Sequence, residues 1–276
     1  MAGMVSLFRG QRDVARARLV LPALLIAVLI IAVMAGCAAA EDGGGADPFP
    51  LSDEIMADAD GYLILVNTEN LLTSTDKPAD LVNVSARKTS STAIQMREPV
   101  SLALSALFDA AKEDGLTLYI HSGYRSYQTQ RDMFALRMER LGYDDKMVQR
   151  AGASDHQTGM GADVINKALI GQRFGESFGG TKEGLWLAER CAEFGFVIRY
   201  PKDKVGVTGI EYEPWHLRYV GLEAARYMTD AGVTLEELWE QWEAYQAGEW
   251  VGAYSPGAAG SIEPFIVDDG ELIIGE

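Results

Sequence analysis

The sequence predicts an α+β domain. Helical and strand-like stretches mix along the chain without the regular βαβ alternation of a doubly wound sheet. The 276 residues are 48% apolar and 23% charged, ordinary globular values with enough material for one sizeable core. Acidic residues outnumber basic ones by 40 to 24, a formal charge of −16. Four arginines and one aspartate fall in the first 36 residues, so the remainder carries 20 basic against 39 acidic residues. A field of that sign repels phosphate backbones and excludes nucleic acid as a partner. The two cysteines are more than 150 residues apart, which excludes a disulfide framework or a Cys-rich metal module.

Arg9, Arg12, Arg16 and Arg18 precede a nearly unbroken apolar run, Leu19 to Val33. A basic start, a short apolar core and small residues before a break describe a signal peptide over 1–37. The run is shorter than the roughly 20 residues of a comfortable membrane span. Met34-Ala35-Gly36-Cys37 resembles the lipobox of bacterial lipoproteins, whose cysteine is lipidated, although Met34 stands where leucine is usual. An uncleaved signal anchor and plain secretion are the alternatives. All three place the remainder outside the cytoplasm, either anchored to the membrane or released.

Residues 38–58 are small, acidic and Gly/Ala-rich, and read as a flexible tether to a domain over 59–250. Tyr62 to Val66 and a stretch from Asp80 are extended. Pro99 to Asp114 is a helix, with Leu102, Ala106 and Ala110 at helical spacing and Gly115 as its stop. Leu116 to Ile120 is a strand and Ser126 to Leu141 a helix ended by Gly142. Ala162 to Ile165 is a strand after a Gly-rich loop. Thr181 to Phe194 is a helix closed by Gly195, and Phe196 to Tyr200 a strand. Glu211 to Val220 is a further strand. Thr234 and Glu237 form a capping box that opens a last helix, to Ala247. The tail, 251–276, is acidic and mobile in this reading, with Phe265-Ile266-Val267 and Leu272-Ile273-Ile274 as material for an edge strand.

Two clusters carry chemistry: Ser154-Asp155-His156-Gln157-Thr158-Gly159-Met160-Gly161-Ala162-Asp163 and Glu213-Pro214-Trp215-His216-Leu217-Arg218-Tyr219. Two imidazoles and a carboxylate leave the fourth position of a tetrahedral zinc open, the pattern of a catalytic site. A glutamate beside it can take a proton from water and pass it to a leaving amine. His156 and Asp163 lie seven apart, but Gly159 and Gly161 argue against a shared helix. A loop folding back into a strand near Ala162 would bring them together. In the second cluster, alternation sets His216 and Arg218 on one face and Trp215, Leu217 and Tyr219 on the other. Glu213 then has the wrong parity to join His216, and a bulge at Pro214 is the expected remedy. Either cluster alone is a weak metal signal.

A third patch, Ser122-Gly123-Tyr124-Arg125-Ser126-Tyr127-Gln128-Thr129-Gln130, sits between a strand and a helix. With it the chain resembles the zinc D-alanyl-D-alanine carboxypeptidases of the VanY type. Their motifs S-G-Y-R-S, S-x-H-Q-x-G-x-A-x-D and E-P-W-H-x-R-Y-V-G recur here in order and at comparable separations. Gly161 replaces the usual alanine, and Thr68 stands where many relatives carry lysine after Leu65-Val66-Asn67. Phe196-Val197-Ile198-Arg199-Tyr200-Pro201, with Gly195 before it, and Thr208-Gly209 also match. The likeness covers roughly Tyr62 to Gln246.

The resemblance implies a single zinc-peptidase domain with a small antiparallel sheet flanked by helices. It implies zinc on His156, Asp163 and His216, with Glu213 as general base. Arg125 would hold the carbonyl oxygen or the substrate carboxylate, and Ser154 and Gln130 would line the pocket. The substrate implied is the stem peptide of peptidoglycan, from which the terminal D-alanine is removed. L,D-carboxypeptidase action on tetrapeptide stems, D,D-dipeptidase action and an inactive wall-binding protein are the rivals. Trp186, Trp215 and Tyr219 read as core, and Cys191 as a buried free thiol. His121 reads as structural or solvated, and Glu236, Glu237 and Glu240 as a solvated helix face. Asp155 divides evenly between supporting a ligand and facing solvent.

Overall fold

From residue 48 the chain forms a short helix α1 (Asp53–Met56), an antiparallel strand pair β1 (Leu81–Asn83) and β2 (Gln95–Arg97), and helix α2 (Glu98–Glu113). Strand β3 (Leu118–Ser122) and helix α3 (Tyr127–Leu141) follow. After a long loop come β4 (Gly161–Asn166), α4 (Lys182–Arg190), β5 (Phe196–Ile198), a single turn α5 (Val205–Thr208) and β6 (His216–Tyr219). Helices α6 (Leu222–Ala231) and α7 (Leu235–Gln246) complete the order. This computed structural model describes residues 48–172, 175–250 and 252. The signal segment with Cys37, the first part of the tether and the tail beyond residue 252 lie outside the described residues. Among those described, no helix is long and apolar enough to cross a membrane.

Local chemistry sets the helix ends. The Ser126 hydroxyl accepts from the Thr129 N–H to open α3, and Gly142 closes it with φ +77°. Thr234 and Glu237 form the expected reciprocal capping box on α7. In α2 the buried stripe is Val100, Leu104, Leu107 and Ala111, whereas Leu102 is 68% exposed. The stripe expected from Leu102, Ala106 and Ala110 shares the helical period but buries less apolar area. Each large aliphatic side chain contributes roughly 1.5–3 kcal/mol when buried, so the face with two leucines and a valine turns inward.

Strands β3, β4, β6 and β5 lie side by side in that order, each pair antiparallel. One face of this sheet, with Ile120, Ala162, Val164, Phe196 and Leu217, packs with α2 and α4 around Leu104, Leu107, Trp186 and Leu187. A second apolar cluster joins α6 and α7 to the start of the described chain. There Phe49, Leu51 and Met56 are buried, and the Phe49 ring meets Tyr227, Trp242, Tyr245 and Trp250 at 5.0–6.1 Å. Packing therefore begins within the stretch expected to be tether, ahead of residue 59. Trp186 and Trp215 are core, Tyr219 packs on Phe196, and Cys191 is a buried free thiol.

The largest departure lies before β6. The expected strand from Glu211 shortens to four residues, and Glu213 to His216 form a turn in which the His216 N–H donates to the Glu213 carbonyl at 3.0 Å. No bulge at Pro214 is needed, because strand parity does not govern Glu213. The register shift falls instead in β3, between Ile120 and Ser122. Helix α6, which the sequence reading passed over, buries Ala224, Ala225 and Met228. Its small apolar residues give a faint periodic signal.

Candidate metal centre and its cleft

Asp163 on β4 stands opposite His216 on β6 in the strand register. This puts Asp163 Oδ1 3.2 Å from His216 Nδ1. His156 arrives on a 3₁₀ turn, Asp155–Thr158, which Gly159 ends with φ +70°. The chain folds back there, and His156 Nε2 lies 3.3 Å from Asp163 Oδ2. Gly161 is what allows turn and strand to approach: a Cβ on it would sit 3.1 Å from Asp155 C and His156 N. Alanine there would require the turn to shift by a few tenths of an ångström.

The three residues are buried, and one ligand atom from each lies within 4.8 Å of the other two. Tetrahedral zinc with bonds of about 2.0–2.1 Å separates its ligand atoms by about 3.3 Å. His216 Nδ1 and His156 Nε2 stand 3.2 and 3.3 Å from different oxygens of Asp163, on the scale of that edge, and with one oxygen counted the three ligand atoms lie within 4.8 Å of one another. His156 Nδ1 lies 2.7 Å from the Gly123 carbonyl, which can only accept, so Nδ1 carries the proton and Nε2 offers its lone pair. Burial lowers the His156 pKa. His216 also pays for burial, but Asp155 and Asp163 outweigh it and raise its pKa to about 9.

Glu213 Oε2 lies 3.8 Å from His216 Nδ1, beside the three converging side chains. Burial, reinforced by Asp163, raises its pKa to about 8 against the pull of His216 and Arg125. A carboxylate so placed is suited to take and return protons near neutral pH. Arg125 enters from the turn between β3 and α3. Its Nη1 donates to Gln130 Oε1 at 2.8 Å and its Nη2 to Ser122 Oγ at 3.0 Å, with Asp163 Oδ2 3.8 Å away. Gln130 Nε2 in turn donates to the Gln149 carbonyl. Gln130 thus fixes the guanidinium as well as lining the pocket.

These groups border a cleft of about 420 Å³, together with Ser154, Tyr200 and Trp215. The structure brings together every residue singled out for the site within the described chain: His156, Asp163, His216, Glu213, Arg125, Ser154 and Gln130. His121 borders the same cleft and its Nδ1 meets Thr89 Oγ1 at 3.3 Å.

Behind His156, Asp163 and His216 lies an ionic cluster that the sequence alone does not reveal. Asp155 Oδ2 accepts from Arg199 Nε at 2.9 Å, and its Oδ1 from Arg218 Nη1. Arg199 also takes both oxygens of Glu236, at 2.7 and 2.8 Å. Arg218 Nη2 donates to the Tyr62 and Ile64 carbonyls, tying in the segment before β1. Glu236, expected on a solvated face, is buried, and Asp155 is wholly enclosed. Asp155 Oδ2 also faces His216 Nε2 at 3.9 Å. The shared face of His216 and Arg218 was the available signal, since an arginine beside a buried imidazole needs a buried partner.

Burial alone would raise the Asp155 pKa, but Arg218 and Arg199 hold it well below the usual carboxylate range. Its stabilisation is therefore present above the ordinary aspartate pKa of about 3.9 and is lost only as pH falls below that value. Asp155→Asn should cost about 3–5 kcal/mol, the penalty for stranding buried guanidinium charge. Denaturant unfolding of the metal-free protein at pH 7 measures it, and a loss under 1 kcal/mol would show that the cluster is not held by Asp155.

The VanY family, described as D-alanyl-D-alanine carboxypeptidase, matches residues 93–222. YodJ of Bacillus subtilis (strain 168) is 39% identical over 195 residues, 68% of this chain and 70% of that protein. Among solved structures, the LdcB LD-carboxypeptidase is 39% identical with a TM-score of 0.60, over 64% of this chain and 84% of its own. The VanY D,D-pentapeptidase from the VanB-type resistance cassette, in complex with Zn(II), is 32% identical with a TM-score of 0.54, over 64% and 98%. With the geometry of His156, Asp163, His216 and Glu213 beside these likenesses, the chain belongs to the VanY family of D-alanyl-D-alanine carboxypeptidases.

Proposed function

We propose that this protein is a zinc-dependent D,D-carboxypeptidase that removes the terminal D-alanine from peptidoglycan stem peptides outside the cytoplasm. The observation that carries this reading is the convergence of His156, Asp163 and His216 on one point with buried Glu213 beside it. His156, Asp163 and His216 would hold zinc, which would supply Lewis acidity toward the scissile carbonyl and ease deprotonation of water near neutral pH. Glu213 takes that proton and delivers it to the leaving amine. Arg125, clamped by Gln130 and Ser122, presents a fixed guanidinium to the carbonyl oxygen or to the terminal carboxylate. Ser154 lines the cleft and offers a hydroxyl to the substrate.

The direct test is release of D-alanine from a pentapeptide stem, with and without chelator. No cleavage by zinc-loaded protein would reject the reading. The likeness to the LdcB LD-carboxypeptidase supports a second reading, L,D-cleavage of tetrapeptide stems. Product analysis on tetrapeptide- and pentapeptide-ended muropeptides, beside free D-alanyl-D-alanine, separates these and the dipeptidase.

Two expected outcomes belong to this reading. If Arg125 stabilises charge growing on the carbonyl oxygen, Arg125→Lys should fall mainly in kcat, by about 100-fold or more, because lysine lacks the planar fork. If Arg125 grips the terminal carboxylate equally in ground and transition states, the loss should fall in KM instead. Steady-state kinetics on one pentapeptide decides, and unchanged parameters would remove Arg125 from the site. The basic-apolar leader with its lipobox-like cysteine supports a lipid anchor at Cys37. Cys37→Ala should then release the protein from membranes or leave an uncleaved precursor, with the soluble chemistry intact. Unchanged fractionation and an unchanged N-terminus would favour a signal anchor.

A further inference from the structure

Four ionisable carboxylate or guanidinium groups border the cleft, and the mechanism above uses three of them: Asp163, Glu213 and Arg125. The fourth is Arg137. It lies seven residues after Gln130 on α3, and Gln130, Met133 and Arg137, at i, i+3 and i+7, form the helix stripe that faces the cleft. Seven residues of helix advance about 10.5 Å, close to the length of three extended residues. Gln130 marks one end of that distance by holding Arg125.

Asp145 fixes Arg137 by taking its Nε and Nη2, one edge of the fork. Arg137 borders the cleft and Asp145 does not, and because Asp145 takes Nε and Nη2, Nη1 is left for an occupant. The pair is part-buried, with side chains 18% and 17% exposed, and the two contacts to Asp145 keep the guanidinium oriented. A fixed, cleft-facing cation in a chain of net charge −16 is a selective feature.

We infer that Arg137 is a substrate subsite for a second carboxylate, carried by the peptide two or three residues before the scissile bond. This rests on the carboxypeptidase reading. The terminal D-alanine has nothing beyond it, so only the acyl side of the substrate is long enough to span from Arg125 to Arg137. A carboxylate there meets the planar donor edge that a guanidinium offers. Two positions could carry it: the end of the third residue's side chain, or the free α-carboxylate of a second residue joined through its γ-carboxyl.

The test uses four synthetic pentapeptides ending in D-Ala-D-Ala, with the carboxylate at the third residue, the second, both or neither left free, the others amidated. The zinc-loaded wild type should show kcat/KM about tenfold or more higher for free acid than for amide at one position, mainly through KM, and that position identifies the source. In Arg137→Gln the acid-to-amide ratio should fall to about one, while Arg137→Lys should keep part of it. Arg137→Gln combined with Asp145→Asn avoids a stranded carboxylate and should give the same ratio if the first variant folds poorly. Peptide dissociation constants on the Glu213→Gln background should repeat the preference without turnover. Equal wild-type handling of all four peptides, or a preference that survives Arg137→Gln, would overturn the subsite alone. Failure of the wild type to cleave any of the four would overturn the carboxypeptidase reading beneath it.

Discussion

Glu213→Gln is expected to retain zinc and lose about 1,000-fold or more in kcat. The amide fills the same space in the turn before β6 and can still hydrogen-bond water, but it cannot accept a proton. Burial has already raised this carboxyl's pKa to about 8 in the metal-free protein, so the fold holds it more easily neutral than ionised. A raised folded-state pKa means stability is lost as pH rises from the ordinary glutamate value toward 8. The metal-free variant should therefore be at least as stable as the wild type, with an advantage that grows over that interval. In the wild type, activity should fall as pH drops through the pKa of the base, on an acid limb above the ordinary glutamate value of about 4.3. Elemental analysis, denaturant unfolding and turnover on one pentapeptide test these together. Substantial remaining turnover would mean that another group is the base.

How much of this was legible in the sequence depends on the range of the interaction. Alternation from Trp215 to Tyr219 is a local pattern, and the structure keeps it: Leu217 enters the core while His216 and Arg218 face the other way. Helix ends were equally local, because Ser126, Gly142 and the Thr234–Glu237 box act within a turn of the residues they cap. The grouping of His156, Asp163 and His216 is not local. It could be anticipated because three ordered motifs resembled a family, and no period in the sequence places β4 beside β6.

What escaped was the supporting structure. Asp155 pairs with Arg199 and Arg218 across 44 and 63 positions, and Arg199 with Glu236 across 37. Charge-to-charge pairing at such separations leaves no mark on hydrophobic periodicity. Glu236 looked solvated because Glu237 and Glu240 surround it with charge, yet its side chain points back into the protein and holds Arg199. The turn at Glu213 escaped for a related reason. Proline in an extended run suggests a bulge, but the Glu213 N–H donates to the Tyr200 carbonyl, a partner that only the fold supplies. Inside α2, two stripes shared one period, and only packing against β3 and β4 could choose between them.

His156→Ala, Asp163→Ala and His216→Ala should each lose zinc and activity together, with turnover falling to the level of the chelated wild type. With three protein ligands and an open fourth position, removing one leaves two, too few to hold the ion in place. The three losses should differ in what remains. His156→Ala removes the imidazole whose Nδ1 donates to the Gly123 carbonyl, so it should also loosen the turn that carries Arg125. Asp163→Ala leaves two imidazoles edge to face with no carboxylate between them, and His216 then loses one of the three acids, Asp155, Asp163 and Glu213, that raise its pKa. In the wild type the metal-free His216 has a pKa of about 9, and zinc must displace its proton to bind. Affinity should therefore weaken steadily as pH falls below that value, with protons released on zinc uptake at pH 7. Titration calorimetry in buffers of different ionisation enthalpy counts those protons, and metal analysis after dialysis ranks the variants. A variant that keeps wild-type zinc affinity would take its residue out of the ligand set.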